Sequence, residues 1–270
     1  MKNRWQSMSL ASARAYDQRK EEGVNHAAIA IKRRVLWKLI QAHLPADPAS
    51  PILDLGGGTG VWTIPLVQAG RKVELGDIST GFLARAWEKL EAQGLQKQIT
   101  LHELDICDLS RFPNQSFSLI LALGDPLSYC GDTERALKEL RRVIKPGGTL
   151  LCDVENRYAG LDERRAPTLK DALNLLTTGI SNGAEQAKDL APIRLFLPSE
   201  IEPLLKAANW KLESLNGSDL FASFLRPDLL KELRIDSPEF ERAVALEEEL
   251  RRDPHTLGVG YELQIVAKPG

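Results

Sequence analysis

The sequence predicts an α/β fold: a mostly parallel sheet with helices on both faces. Two observations carry this. From residue 51 to residue 154, short apolar runs alternate with longer amphipathic ones, the pattern of βα units whose strands are buried on both sides. The first of those runs, Pro51-Ile52-Leu53-Asp54-Leu55, passes directly into Gly56-Gly57-Gly58-Thr59-Gly60, a backbone free to turn tightly before a helix.

The elements follow in order. Residues 1–50 read as helical, with Ala28, Ile29, Ile31, Val35, Leu36, Leu39 and Ile40 forming an apolar stripe. After the glycine-rich turn, Val61 to Ala69 is a helix and Lys72 to Asp77 the second strand. Ser79 caps a helix faced by Phe82, Leu83, Ala86, Trp87 and Leu90. Ile99 to Glu103 and Phe117 to Leu123 are strands three and four. A helix from Asp132 is stopped by Lys145-Pro146-Gly147-Gly148, and Thr149 to Val154 is the fifth strand. A capping box at Ser199 to Glu202 opens another helix. Trp210 to Leu215 and Gly260 to Lys268 supply the sixth and seventh strands, separated by a helical stretch over 226–252. The expected division is an N-terminal helical segment at 1–50 and a main domain at 51–270, with helical insertions at about 155–197 and 217–258.

With 43% hydrophobic residues in 270, the chain can bury a substantial core. Its formal net charge of -2 supplies no general attraction for nucleic acid. Cys107, Cys130 and Cys152 show no metal-ligand spacing, and no metal site is expected. No run is long and apolar enough for a membrane span or a signal peptide. A cytoplasmic protein with no membrane partner, monomeric or homodimeric, is the expectation. Lys32-Arg33-Arg34 reads as a solvated helix face.

Ligands of open parallel sheets bind beyond the carboxyl ends of the strands. Acidic groups recur there: Asp54, Asp77, Asp105, Asp125 and Glu155. The glycines are spaced GxGxG, and Val61 stands where a dinucleotide fingerprint needs its last glycine. Asp77 lies at the distance expected of an acceptor for ribose hydroxyls.

Residues 52–153 resemble the core of the class I methyltransferases, the seven-stranded Rossmann-like family. The resemblance rests on Ile52 to Gly60, Leu75-Gly76-Asp77-Ile78-Ser79, Asp105-Ile106, the fourth strand with Gly124, and Leu140 to Gly148. Ser118 departs from the aspartate that often starts the fourth strand. The resemblance implies S-adenosyl-L-methionine as cofactor and methyl transfer to a small-molecule acceptor. It implies that the backbone of Gly56, Gly57, Gly58 and Gly60 holds the methionine portion, with Asp54 near its amino group. Asp77 would take the ribose hydroxyls, with Ile78 beside it. Asp105 would accept from the adenine amino group, Ile106 would lie against the ring, and Leu123 and Gly124 would line the wall near the methyl. It also implies that the N-terminal segment forms a lid.

Catalysis then needs alignment of donor and acceptor, and a base only if the acceptor arrives protonated. The candidates are Asp125, Tyr16, His26, Tyr129 and Tyr158. Asp125-Pro126 does not fit the Asn/Asp-Pro-Pro-aromatic motif of amino-methylating enzymes, because Leu127 replaces the second proline. RNA or protein methylation, and a non-catalytic module that binds S-adenosylmethionine, are the alternatives.

Overall fold

The computed structural model describes residues 5–22, 26–161, 166–181, 192–221 and 225–270. Its centre is a seven-stranded sheet of order β3-β2-β1-β4-β5-β9-β8. The strands are β1 (Ile52–Leu55), β2 (Val73–Asp77), β3 (Ile99–Glu103), β4 (Phe117–Ala122), β5 (Ile144–Glu155), β8 (Trp210–Ser218) and β9 (Glu262–Pro269). β1 to β5 run parallel, and β9 lies antiparallel to both β5 and β8. The expected mostly parallel sheet of seven strands is therefore present. A small second sheet pairs β6 (Ile180–Ser181) with β7 (Ile193–Arg194).

The strands form where they do because alternate residues find a core on each face. Leu53, Leu55, Ile120, Ala122 and Leu150 enter one cluster. It is shared with α6 (Thr133–Val143) and α8 (Pro198–Ala207). Ile52, Leu119, Leu121 and Leu151 enter the opposite cluster, with Leu36 and Ile40 of α2 (His26–Ala42) and Leu66 of α3 (Thr63–Gln68). Helix α4 (Thr80–Glu91) starts at Ser79, whose side chain accepts from the Phe82 N–H. Asp132 caps α6 in the same way, accepting from Arg135.

Several boundaries differ from the sequence reading. β5 begins at Ile144, not Thr149: Lys145 to Gly148 lie within the strand, where Gly147 has a φ of +75° and the pairing with β4 shifts register. The helix does end just before them, at Val143, and the glycines also make a bulge in the strand that follows. The Ser199–Glu202 capping box is absent. α8 starts at Pro198, and Glu200 reaches back to the Leu197 N–H at 3.0 Å. The stretch 226–252 is two helices, α9 (Pro227–Glu232) and α10 (Pro238–Leu250), and Ser237 caps the second. The insertion after β5 carries α7 (Leu169–Thr178).

Helix α1 (Leu10–Glu22) packs on α4, and α2 packs on α10. The approach of the N-terminal segment to α4 requires a glycine. A Cβ on Gly81 would sit 2.1 Å from the Met8 carbonyl oxygen and 2.7 Å from the Ser9 carbonyl carbon. Gly81→Ala should therefore detach residues 5–22 from α4 while sparing the sheet. We expect faster proteolysis within those residues, with a smaller loss of global stability than Leu121→Ala, which should cost about 2–5 kcal/mol. Limited proteolysis and chemical denaturation of both variants check this.

Candidate functional site

The strand order turns around between β1 and β4, and a cavity of about 260 Å³ opens at their carboxyl ends. Its floor is the glycine turn. Gly56 donates its N–H to Gly76 O at 2.8 Å, so the turn is pinned to β2. Gly56 and Gly58 have φ values of +65° and +56°, a backbone region that side chains disfavour by about 1–2 kcal/mol. A Cβ on Gly56 would also meet Pro126 at 2.8 Å.

Asp77 fastens the turn from the other side. Its Oδ2 accepts from the Gly58 N–H at 2.9 Å and its Oδ1 from the Ser79 N–H at 2.8 Å. Burial pushes its pKa up to about 6, against the pull of those N–H groups. The cavity is lined by Gly56, Gly57, Gly58, Asp77, Ile78, Asp105, Ile106, Leu123 and Gly124, which brings nine of the eleven candidate cofactor residues together.

Two of the eleven fall outside it. Asp54 is fully buried beneath Gly57 and accepts from the Thr63 hydroxyl at 2.6 Å. Its pKa rises to about 6 through burial, and it braces the start of α3 instead of facing the cavity. Gly60 turns toward Ile64 and Ala86 with a φ of +82°, outside the lining.

The five candidate catalytic residues also separate, with Tyr129 on the cavity lining. Tyr16 lines the cavity, and burial raises its phenol pKa. Asp125 is buried behind the lining, in a left-handed conformation with φ +62°. Burial first, then the charges of Glu262 and Asp153, push its pKa well up. His26 begins α2 on a separate groove with Glu21 and Arg34. Tyr158 is about half exposed and lies outside the lining.

Of the far wall, the sequence reading singled out only Tyr129, as a candidate base. Trp5, Lys20, Lys32, Arg33, Phe82, Tyr129, Asp153, Asp219 and Glu262 also line the cavity. Lys32 is not on a solvated face, because its ammonium pairs with Glu262 at the start of β9. Burial pulls its pKa down, but Glu262 and Asp219 push it further up and prevail. The signal was present in the helix period: Lys32 sits four residues from both Ala28 and Leu36, each 1% exposed. Trp5 packs against Tyr16, Phe82 and Tyr129 with ring centroids 5.8–6.2 Å apart. α1 is held over the turn by the buried Asp17, which accepts from the Thr59 hydroxyl at 2.6 Å and from Arg85 at 3.0 Å.

Residues 52–148 match the family described as methyltransferase domain. A demethylmenaquinone methyltransferase of Bacillus cytotoxicus is 33% identical over 48% of this chain and 55% of its own length. The chain thus spans about half the length of the curated relatives it matches. An S-adenosylmethionine-dependent methyltransferase structure from Mesorhizobium loti has a TM-score of 0.59 at 21% identity, covering 87% of this chain and 97% of that one. The geranyl diphosphate C-methyltransferase of Streptomyces coelicolor, solved with S-adenosyl-L-homocysteine, has a TM-score of 0.61 at 14% identity, covering 93% of this chain and 84% of that one. Residues 52–148 are thus similar to a methyltransferase domain, and the strand order around them is the fold of the S-adenosylmethionine-dependent methyltransferases of known structure.

Proposed function

We propose that this protein transfers a methyl group from S-adenosylmethionine to a small-molecule acceptor, chiefly by holding donor and acceptor in line. One observation carries the reading: a single cavity joins the glycine turn and Asp77 to a second wall of charged and aromatic side chains. Its volume of about 260 Å³ suits small molecules better than a polymer. The named activity of the Bacillus cytotoxicus relative supports a small acceptor as well.

The residues present fit the cofactor. The turn at Gly56 to Gly58 leaves a cradle that Cβ atoms would obstruct or strain. Asp77 and Asp105 offer carboxylates on the lining, and Ile78 and Ile106 offer apolar surface beside them. In this reading Asp77 takes the ribose hydroxyls, Asp105 the adenine amino group, and the Gly56–Gly58 backbone the methionine portion. Lys20 and Arg33 are placed to balance its carboxylate. When bound, S-adenosylmethionine supplies a methyl group already activated on a sulfonium sulfur. Trp5, Tyr16 and Phe82 keep water from the cavity. Leu123 and Gly124 form the wall where donor and acceptor meet. Tyr16, with its raised pKa, stays protonated at neutral pH and orients by donating its hydroxyl proton. The segment 5–22 acts as the lid.

Calorimetric titration with S-adenosylmethionine and S-adenosylhomocysteine tests the reading. Wild type should bind both, whereas Asp77→Ala should lose about 30-fold or more, the equivalent of one charged hydrogen-bond pair. Asp77→Asn, which keeps one acceptor for Gly58 or Ser79, should lose less. A wild type that binds neither ligand defeats the proposal.

The same carboxylate sets a pH dependence. Ribose hydroxyls donate to ionised Asp77, so binding favours the charged form and releases a proton. With a free-state pKa of about 6, affinity should be level above pH 7 and fall as pH drops through 6, by up to about tenfold per unit. Titrations from pH 5 to 8 should show this fall, and Asp77→Asn should flatten it.

A further inference from the structure

Beside Lys20, Lys32 and Arg33, the cavity lining carries an acidic group that the sheet builds. Asp153 lies near the carboxyl end of β5, Asp219 follows β8, and Glu262 opens β9. Pairing of Glu262 with Glu155 and with Ser218 brings these positions to one edge. Asp153, Asp219 and Glu262 all line the cavity.

Two of these carboxylates have an oxygen with nothing to accept from. Asp153 Oδ1 receives the N–H groups of Gly124 at 2.7 Å and Asp125 at 2.8 Å. Asp153 Oδ2 has no hydrogen-bond partner among the described residues, although the residue is only 1% exposed. Glu262 gives Oε1 to Lys32, while its buried Oε2 is likewise unpartnered. Buried polar atoms are nearly always paired, so these oxygens mark where a ligand's donors belong. Both residues share the cavity lining with Leu123 and Gly124, and Gly124 is bonded directly to Asp153.

The chemistry of that ligand follows from what would satisfy two anionic acceptors at once. An ammonium carries a positive charge and several N–H donors. A phenol or alcohol offers one O–H and no charge, and a carboxylate offers neither. The aromatic rings of Trp5 and Tyr129 line the same cavity, and aromatic rings attract cations. Tyr129 donates its hydroxyl to Glu155, which ties that wall to the acidic edge.

We propose that the methyl acceptor is a small primary or secondary amine, bound as its ammonium ion with Asp153 Oδ2 and Glu262 Oε2 as hydrogen-bond acceptors. The inference rests on the methyltransferase reading above. Asp153 also takes one proton: an N–H bond breaks, an Oδ2–H bond forms, and the nitrogen keeps the electron pair that methylation requires. Burial and the nearby Glu262 push the Asp153 pKa up to about 7, which suits a group that accepts a proton near neutrality.

The test titrates the protein, saturated with S-adenosylhomocysteine at pH 7.5, with ethylamine, isobutylamine and phenethylamine. Each amine is matched by its isosteric alcohol and carboxylate, and hydroquinone is added as a phenol. At least one amine should bind ten times more tightly than its matched alcohol and acid. Asp153→Asn and Glu262→Gln should each lower that amine's affinity tenfold or more, while S-adenosylhomocysteine affinity stays within threefold. Alcohols, acids or hydroquinone binding as well as the amines would overturn the inference and leave the methyltransferase reading standing. Variants that weaken S-adenosylhomocysteine as much as the amine would also overturn it, by assigning these oxygens to the cofactor's own ammonium. A wild type that does not bind S-adenosylhomocysteine would overturn both.

Discussion

Strands β1 and β4 are buried on both faces, and this constraint organises the rest of the molecule. Their backbone groups can be satisfied only by neighbours in the sheet, and their side chains only by helices above and below. Chain order runs outward from β1 to β2 and β3, then returns to β4 and β5. Connections leave the two central strands toward opposite sides, so the carboxyl edge between them cannot be closed by the chain itself. The glycine turn, Asp77, Gly124 and Asp153 all stand at that gap. Each is held by a backbone hydrogen bond that crosses between strands or from one strand end to the next.

The N-terminal helices complete what the sheet leaves open. Asp17 is nearly fully buried, and it meets Thr59 on the turn and Arg85 and Lys89 on α4. Such a carboxylate is tolerated inside only because its partners are present. Lys32 plays the corresponding part on the other side, with Glu262. Covering the site also removes water from Asp77, Asp153 and Asp219, which is why burial raises all three pKa values. A cavity with carboxylates in this state is primed for ligands that bring hydroxyl or ammonium donors, since the donors recover what desolvation has cost.

Local signals read well from the sequence. Ser79 and Asp132 each cap the helix expected of them, because a cap needs only its own side chain and an N–H three residues on. β3 falls at its expected bounds, Ile99 to Glu103. The misreadings arose where a distant partner overrides a local cue. Lys145 to Gly148 follows the end of α6 as expected, but β5 already starts at Ile144, which pairs with Phe117, so these residues form a bulge within the strand. Glu200, not Ser199, governs the start of α8, and it is also held by Arg157 across the insertion. Asp54 carries the look of a ligand contact, but Gly57 and Thr63 seal it inside.

The sequence alone determined the half of the site that is local in the chain. Gly56, Gly57, Gly58, Asp77, Asp105 and Gly124 each follow a strand directly, so spacing from the strand end fixes where they stand. Tertiary structure decided the other half. Lys32 and Glu262 are 230 residues apart in the chain. Asp153 gains its orientation from two backbone N–H groups that β4 presents to it. No spacing rule links such residues, because their proximity comes from sheet order and helix packing. The far side of the cavity is therefore made by the fold, opposite a glycine turn that the sequence already spells out.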